Sequence, residues 1–329
     1  MNAPASHWSV AIFTARESVA VASDCVRAAL EAVGERSATV DVLVNGNRQL
    51  ADDLARLAPT WRRSETRTTC RVWYLDVPDK GHTWNEYVRV LWPGGDVAFF
   101  IDGYAIVEQQ ALARIASALD ASPEAWAASG TPSVGRTAEA LREQMLREGG
   151  MHGNLYAMRG EAVIRLRALG FRLPLGIYRS DALIGAVFCF SFDPERSAWN
   201  ARRIAVVSDA TWTISPLRWS RPRDMVTLFK RKLRQYQGEF ENTAYRDHLA
   251  LQRRSITTLP ETSKALVAGW MDANKGSAAR KILMHPAAMH ALYKLWRAPP
   301  LPKGHPPELL WESAGSGTAA PVALRAVEH

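Results

Sequence analysis

Polar side chains able to bind a ligand or move a proton follow four apolar runs in the first third of the sequence. They stand at positions 14–17, 45–47, 76–80 and 102–104, where hydroxyl, amide, ammonium and carboxylate groups occur. Such groups can hydrogen-bond a polar ligand, neutralise an opposite charge or accept a proton. Asp181 adds a further carboxylate directly before another apolar run. These residues are the candidates for a polar binding or catalytic site.

Basic side chains form a second group with chemistry of its own. The sequence has 41 Lys and Arg against 33 Asp and Glu, which gives a net charge of +8. One short stretch concentrates this excess and contains Arg218, Arg221, Arg223, Lys230, Arg231, Lys232 and Arg234. Uneven positive charge favours anionic partners such as phosphorylated small molecules, acidic lipid headgroups or nucleic acid.

The elements that must position these groups alternate between strands and helices. Apolar runs predict strands at 9–14, 40–45, 70–77 and 96–102. Apolar residues at helical spacing predict helices at 18–33, 48–57, 84–91 and 107–120. This alternation is typical of a parallel sheet covered on both faces, and ligands bind such sheets at the carboxyl ends of the strands. The four polar segments lie at those ends.

The second half of the chain is less regular. Its pattern predicts a strand, a helix, a strand and a helix between 126 and 170, and a strand, a turn and a strand at 203–215. An amphipathic helix is predicted at 224–240, followed by a helical region at 262–297. The residues after 297 are rich in Pro, Gly and Ala, which predicts a mobile tail.

Composition bounds the class of protein. Hydrophobic residues make up 47% and charged residues 22% of the 329 residues, which suits a globular chain without a disulfide or metal staple. Cys25, Cys70 and Cys189 are too few and too far apart for a disulfide framework or a zinc site. The N-terminus does not look like a signal peptide, and no apolar run approaches the ~18 residues of a spanning helix. We expect a cytoplasmic protein, with peripheral contact at the inner face of the membrane left open.

The order and spacing of five motifs resemble the family 2 glycosyltransferases of the GT-A fold, over about residues 8–240. SVAIFTARES resembles the first strand and nucleoside loop of that family, which implies that Thr14, Ala15 and Glu17 line the nucleoside. VDVLVNGN resembles the second strand, which ends in the family with an Asp that contacts the base. Asn45 stands in that place here and can still donate to and accept from a base edge.

The third and fourth motifs concern the donor diphosphate. DKGHTWNE resembles the Lys-Gly segment of the family, which implies that Lys80 meets a donor phosphate and that Asn85 caps a helix. FFIDGYAIV resembles the DXD motif, whose two acids bind Mg²⁺ or Mn²⁺ in the family. Asp102 keeps the first acid, but Tyr104 replaces the second. A divalent metal at Asp102, shared with a ligand that the motif does not identify, is therefore one expectation. Binding through water, binding to the ribose, or simply closing the strand at a turn are the alternatives for Asp102.

The fifth motif concerns proton transfer. LGIYRSDALIG resembles the acidic segment at the mouth of a buried helix in the family, which implies that Asp181 is the general base that deprotonates the acceptor hydroxyl. Ser180 replaces the first acid of that segment. The same position also suits a helix N-cap, and both roles can hold together.

Two further segments support the acceptor and diphosphate sides of the site. GGMHGNLYAMRGE resembles the acceptor-side segment of the family, which implies roles there for Gly153 and Arg159. RKLRQYQG has the spacing of the QxxRW motif of processive members, although the Gln and Trp are missing. Arg231 and Arg234 lie at i and i+3 on one helix face and would stabilise charge on the leaving diphosphate. A solvated basic face is the alternative.

The resemblance implies an α/β fold of the GT-A, Rossmann-like kind, with a mostly parallel sheet flanked by helices and a helical C-terminal extension. We expect a glycosyltransferase domain at 1–245, with a nucleotide-binding half at about 8–125 and an acceptor half at about 126–245. A helical extension at 246–297 and a flexible tail at 298–329 would follow.

The implied reaction is inverting transfer of a sugar from a UDP- or GDP-sugar to a saccharide or lipid-linked acceptor, without nucleic acid as a partner. A nucleotidyltransferase is a weaker alternative because SVAIFTARES lacks a Gly-rich basic loop. A basic, non-catalytic module that binds phosphates or a membrane is another alternative. The departures at Tyr104 and Ser180 also leave open a degenerate transferase.

Overall fold

The computed structural model describes residues 6–61, 67–133, 138–214, 222–284 and 286–313, with the backbone alone for 222–232 and 286–287. In the described chain the strands are β1 (His7–Thr14), β2 (Ser37–Asn45), β3 (Thr68–Leu75), β4 (Val97–Asp102), β5 (Ile106–Val107), β6 (Ala127–Pro132), β7 (Leu155–Arg159), β8 (Ile204–Thr213) and β9 (Glu308–Glu312). They form one sheet in the order β5-β8-β6-β7-β4-β1-β2-β3-β9. The sheet is mostly parallel, because β1–β4, β6 and β8 run in one direction and β5, β7 and β9 in the other.

Helices cover both faces of this sheet. In chain order they are α1 (Val19–Val33), α2 (Arg48–Leu57), α3 (Lys80–Glu86), α4 (Ala111–Ala121), α5 (Ala138–Glu148), α6 (Gly160–Ala168), α7 (Ser180–Cys189), α8 (Pro222–Arg246), α9 (Ser263–Ala273), α10 (Lys275–Met284) and α11 (Pro286–Arg297). Helices α1, α2 and α4 pack on one face, and α3, α6, α7 and α8 pack on the other. None of the helices in the described residues is both long enough and apolar enough to cross a bilayer.

The central strands β1, β2 and β4 are buried on both sides because helices cover both faces of the sheet there. Val10 and Ile12 of β1 belong to the core under α1, whereas Ala11 and Phe13 belong to the core on the opposite face. Successive side chains of a strand point to opposite faces of the sheet, which is why neighbouring residues of β1 belong to different cores. A strand covered on both faces is buried at every residue, whereas a strand with one solvated face is buried only at every second residue. The helical extension joins the second of these cores, because Val267 of α9 lies in the same cluster as Phe13.

The carboxyl ends of β1, β2, β3 and β4 meet at one edge of the sheet. The antiparallel strand β7 begins at that same edge, since Leu155 pairs with Ile101 near the end of β4. The polar segments that follow the first four strands therefore converge with the segment that precedes β7. This edge is where open α/β sheets bind their ligands.

Two sequence-based expectations about elements are wrong. Residues 204–213 form one continuous strand, β8, where the pattern predicts a turn between two strands. The tail predicted to be flexible contributes β9, which pairs antiparallel with β3, and the Ser313 N–H donates to the Cys70 carbonyl with N···O 2.9 Å. The segment 308–312 is ordered because it pairs with β3, a strand far away in the sequence, and local composition does not indicate such pairing. Residues 314–329 of the same prediction lie outside the described part.

All three cysteines are buried and carry free thiols. Burial raises the pKa of Cys70 and of Cys189 to about 12 in each case. Thiols with so high a pKa are poor nucleophiles at neutral pH, so the cysteines act as small apolar side chains of the core.

Candidate active site

The ends of β1 and β4 approach each other closely at the ligand-binding edge. The Gly103 N–H donates to the Phe13 carbonyl with N···O 2.8 Å. A side chain at Gly103 would put its Cβ 2.6 Å from the Cβ of Thr14, which is closer than two such atoms can lie. Glycine at this position therefore lets the turn after Asp102 pack against the loop that follows β1.

A cap at the start of α3 sets the position of Lys80. Asp79 is the N-cap and accepts from the His82 N–H at 2.7 Å, while its other oxygen accepts from the Gly176 N–H at 2.9 Å. Lys80 is the first residue of α3, and its ammonium forms an ion pair with the carboxylate of Asp102. The Lys80 side chain is 37% exposed, more than the 14% of its partner Asp102.

Nearby acids determine the charge state of Lys80. Burial acts to lower the pKa of Lys80, but the charge and hydrogen bond of Asp102 and the charges of Asp181 and Glu17 outweigh it and raise that pKa. The Nζ atom also lies 5.7 Å from the ring centroid of Phe13. Lys80 is therefore fully protonated at neutral pH.

Tyr104 and Asn154 hold the second oxygen of Asp102. The Tyr104 hydroxyl donates to Oδ2 at 3.0 Å. In the amide orientation that satisfies all its neighbours, Asn154 donates to the same oxygen at 3.2 Å and accepts from the Trp212 indole N–H at 2.8 Å. Tyr104 thus stands where the DXD pattern has its second acid, but it donates to a carboxylate and supplies none.

Asp181 enters the site from the first turn of α7. Its Oδ2 accepts from the Gly153 N–H at 2.8 Å, so the segment before β7 fixes the carboxylate. Glu241 of α8 holds the chain just before α7, because its Oε2 accepts from the N–H groups of Tyr178 at 2.9 Å and Arg179 at 3.3 Å. Burial raises the pKa of Glu241, and the hydrogen bonds that it accepts oppose this rise.

The carboxylates of Asp102 and Asp181 both lie close to Gly153. A Cβ at Gly153 would be 3.3 Å from Oδ2 of Asp181 and 3.8 Å from Oδ2 of Asp102. Lys80 pairs with Asp102, whereas the contact to Oδ2 of Asp181 comes from an uncharged backbone N–H. This edge therefore presents a carboxylate that can accept a proton beside an ammonium that can face an anion.

Thr14, Ala15 and Glu17 form one turn after β1. Oε2 of Glu17 accepts from the Thr14 hydroxyl and from the Ala15 N–H, each at 2.8 Å. Asn47 donates from Nδ2 to the Ala15 carbonyl at 2.9 Å, which joins this turn to the loop after β2. Asn45 ends β2 as a buried residue. The loops after β1 and β2 are thus hydrogen-bonded to each other, and the Glu17 carboxylate holds the turn after β1 in place.

Cationic side chains line a cavity of about 170 Å³ between this turn and the helical extension. Arg16 comes from the turn, Arg234 from α8 and Lys294 from α11. The Arg234 guanidinium lies 5.8 Å from the ring centroid of Tyr178, and its Nε is buried without a hydrogen-bond partner among the described residues. The rest of the lining is uncharged, so these three residues are the part of the cavity that suits an anionic group such as a phosphate. The side chain of Arg231 lies outside the described part of the chain.

Asn85 does not cap a helix, contrary to the sequence-based expectation. Helix α3 already begins at Lys80, with Asp79 as its cap. The buried amide of Asn85 instead clamps the backbone of Leu173, to which it donates at 3.0 Å and from which it accepts at 2.8 Å. Asn85 therefore positions the chain that leads toward α7.

Arg159 lies at the opposite edge of the sheet from the other predicted site residues. It ends β7, and because β7 is antiparallel to β4, Arg159 pairs with Val97 at the start of β4. Its guanidinium donates to the carbonyls of Ala125 at 2.7 Å and Ser122 at 3.0 Å. The structure thus brings Gly153 to the site but not Arg159, which ties the chain before β6 to β7.

A divalent metal at Asp102 does not fit the residues present. Mg²⁺ and Mn²⁺ bind through several oxygen ligands, yet one oxygen of Asp102 faces the Lys80 ammonium and the other accepts from Tyr104. A metal ion at this carboxylate would be repelled by the ammonium beside it. Across the described ranges, no group of three or more His, Cys, Asp or Glu side chains could hold a metal ion. The expectation of a metal at Asp102 thus lacks the ligands that it needs.

Several residues of this arrangement are not identified from the sequence. Asn154 directly follows Gly153, and its place at the start of a strand is the one local signal that points to it. Glu241 and Lys294 lie far along the chain in helices whose local pattern indicates only amphipathic packing. Their roles follow from tertiary contacts alone.

The fold has counterparts among solved structures. A mannosyltransferase from Pyrobaculum calidifontis in complex with GDP-Man and Mn²⁺ is similar over 89% of this chain and 88% of that chain, with a TM-score of 0.58 and 16% identity. The chain therefore has the GT-A glycosyltransferase fold.

Two other solved structures are similar at lower scores. Glucosyl-3-phosphoglycerate synthase from Mycobacterium tuberculosis in complex with phosphoglyceric acid has a TM-score of 0.49 and 16% identity over 73% of this chain and 80% of that chain. TarS 1-349 from S. aureus in complex with UDP-GlcNAc has a TM-score of 0.46 and 12% identity over 88% of this chain and 80% of that chain. No protein-family model matches the chain, and no curated protein matches its sequence.

Proposed function

We propose that the chain is a glycosyltransferase that moves a sugar from a UDP- or GDP-sugar to a hydroxyl group of a saccharide or lipid-linked acceptor, with inversion. The fold supports this class of reaction, and the complex of the similar mannosyltransferase with GDP-Man supports a nucleotide-sugar donor. The observation that carries the proposal is the meeting of Asp102, Asp181 and Lys80 around Gly153 at the ligand-binding edge.

In the proposed reaction, Asp181 accepts the proton of the acceptor hydroxyl. The acceptor oxygen attacks the anomeric carbon opposite the leaving group, and the bond from that carbon to the diphosphate oxygen breaks, leaving its electron pair on the diphosphate. One displacement of this kind inverts the configuration. Asp181 suits the role because the Gly153 N–H fixes its carboxylate at the sheet edge.

The donor is proposed to lie across the ends of β1–β4. The nucleoside would rest against the turn that holds Thr14, Ala15 and Glu17, with the Asn45 amide at the base edge. The diphosphate would extend toward Lys80 and the cavity that contains Arg234. The same role for Arg231 stays a prediction from the sequence, because its side chain lies outside the described residues.

A panel of nucleotide sugars tests the proposed function. Purified protein is heated with UDP- and GDP-sugars in turn, because a ligand that binds only the folded state raises the melting temperature by mass action. We expect one nucleotide to raise the melting temperature and its sugar to be released or transferred in an assay for free nucleoside diphosphate. A protein stabilised by no member of the panel, and active on none, would contradict the proposal.

Asp102→Asn is expected to weaken donor binding by about tenfold or more, because it removes the charge that fixes the Lys80 ammonium at the ligand edge. The measurement is calorimetric titration with the preferred nucleoside diphosphate. Asp209→Asn is the matched control, since Asp209 is a strand carboxylate paired with Arg114 on the surface, with N···O 3.4 Å. Wild-type affinity in Asp102→Asn would limit Asp102 to closing the turn after β4.

A non-catalytic protein that binds phosphates or a membrane surface is the second candidate function. The observation in its favour is the cavity lined by Arg16, Arg234 and Lys294, which suits any anionic group. Such a protein, or a degenerate transferase, would bind polyanions with strong salt dependence and release no nucleoside diphosphate. A non-catalytic binding protein gives no reason for Asp102 and Asp181 to lie together at Gly153, and the release of nucleoside diphosphate distinguishes an active from a degenerate transferase.

A further inference from the structure

We infer that this chain transfers sugar without a divalent metal, and that the Lys80 ammonium supplies the positive charge that a metal supplies where the motif keeps both acids. The inference rests on the proposed function. It concerns the point where the start of α3 meets the turn after β4, because Lys80 and Tyr104 there contact the two oxygens of one carboxylate.

The contacts of Asp102 are those of a carboxylate that pairs with a side-chain cation, the Lys80 ammonium, and not with a metal ion. A metal-binding carboxylate needs an oxygen lone pair directed at the ion, but here Oδ1 faces the ammonium and Oδ2 accepts from Tyr104. Relative to the DXD motif, this chain has Tyr104 in place of the second acid, and its first acid, Asp102, is paired with the Lys80 ammonium. Together these two differences remove a metal ligand and add a positive charge at the same place.

The backbone holds this ammonium where a donor can meet it. Lys80 occupies the first residue of α3, and the N-cap Asp79 is itself fixed by the Gly176 N–H at 2.9 Å. The side chain is 37% exposed, whereas its partner Asp102 is 14% exposed. Of the pair, Lys80 is therefore the side chain that is more open to an anionic ligand arriving from solvent.

Sugar transfer leaves negative charge on the diphosphate, and a cation at this place would stabilise that charge. When the bond between the anomeric carbon and the diphosphate oxygen breaks, its electron pair stays on the diphosphate, and the proton of the acceptor goes to Asp181. The acids around Lys80, which are Asp102, Asp181 and Glu17, would repel that diphosphate if no positive charge stood among them. A preorganised ammonium meets the developing charge without reorganisation during the step.

The test measures release of nucleoside diphosphate from the nucleotide sugar that the panel selects, with excess EDTA and then with Mn²⁺ or Mg²⁺. Wild-type protein is expected to keep its full rate in EDTA and to gain nothing from either ion. Lys80→Met is expected to lose about a hundredfold or more in rate, as when one preorganised donor to a developing charge is removed, and Lys80→Arg should keep most of the rate. Lys275→Met is the matched control, because Lys275 is the exposed first residue of α10.

A second measurement tests for Mn²⁺ binding directly, without an activity assay. Electron paramagnetic resonance follows Mn²⁺ titrated into the wild-type protein and into the variant Lys80→Met/Tyr104→Asp, which removes the ammonium and restores the second acid. The wild-type protein is expected to show no saturable Mn²⁺ binding with UDP or GDP present, and the double variant is expected to gain a site. Melting curves establish that each variant is folded.

The outcomes separate this inference from the proposed function. A wild-type rate that EDTA abolishes and Mn²⁺ restores, or saturable Mn²⁺ binding that Asp102→Asn removes, overturns metal-free transfer while the glycosyltransferase assignment stands. An unchanged rate in folded Lys80→Met overturns the role of Lys80. If the wild-type protein turns over no nucleotide sugar with or without metal, the proposed function fails, and the inference fails with it.

Discussion

Replacing Asp181 by Asn is expected to lower the rate of sugar transfer by about a hundredfold or more and to leave nucleotide binding unchanged. Asparagine keeps an oxygen that can accept from the Gly153 N–H, which now donates to Asp181 at 2.8 Å. An amide oxygen cannot take up the proton of an acceptor hydroxyl at neutral pH. The measurement is the initial rate at saturating donor, together with calorimetric titration of the nucleoside diphosphate.

The stability of this variant is expected to change little. A negative charge in the first turn of a helix contributes about 0.3–1 kcal/mol, and Asp181 is such a residue in α7. Glu161→Gln is the matched control, because Glu161 is the acid in the first turn of α6, which starts at the opposite edge of the sheet. A wild-type rate in Asp181→Asn would remove Asp181 from the reaction, and a parallel loss of nucleotide affinity would place it with the donor instead.

Strands β1, β2 and β4 of the ligand-binding edge are predictable from the sequence because each is buried on both faces. Continuous apolar runs end at Thr14 and Asp102, and the structure ends β1 and β4 at these residues. The helix predicted at 48–57 is observed as Arg48–Leu57. What a local pattern does not contain is pairing with a distant strand, and for that reason β9 is missed.

The candidate site is predictable only where a residue follows directly from a strand or a helix start. Lys80, Asp102 and Asp181 are such residues, and the structure brings them together. Arg159 is misplaced because a pattern of apolar residues identifies a strand but not its direction, and β7 runs against β4. The support that Glu241 gives to the chain before Asp181 joins segments far apart in the sequence, and no local spacing encodes it.

Replacing both Arg16 and Arg234 by Gln is expected to lower turnover by about 10²- to 10⁴-fold. The two side chains line one cavity from different elements, the turn after β1 and helix α8. Each charge-assisted contact to a phosphate contributes about 1.5–3 kcal/mol, which corresponds to roughly tenfold to a hundredfold in rate. The measurement is the rate of nucleoside diphosphate release, with and without acceptor.

The same variant is expected to keep its fold. Arg16 is exposed, and Gln is a good helix former at position 234. The main structural loss is the contact of Arg234 with the Tyr178 ring at 5.8 Å, a cation–π interaction of about 0.5–1 kcal/mol. Arg27→Gln/Arg56→Gln removes the same charge from two exposed positions of α1 and α2 and is the matched control.

This variant also decides between the two candidate functions, because they assign the same cations to different ligands. If the cavity holds the diphosphate of a donor, Arg16→Gln/Arg234→Gln loses turnover, and its binding to liposomes with anionic lipid stays equal to that of the control. If the cations form a membrane surface, liposome binding falls below the control with a reduced dependence on salt, and release of nucleoside diphosphate from a soluble nucleotide sugar is unchanged. Unchanged turnover together with lost liposome binding would therefore show that Arg16 and Arg234 bind a membrane surface and take no part in sugar transfer.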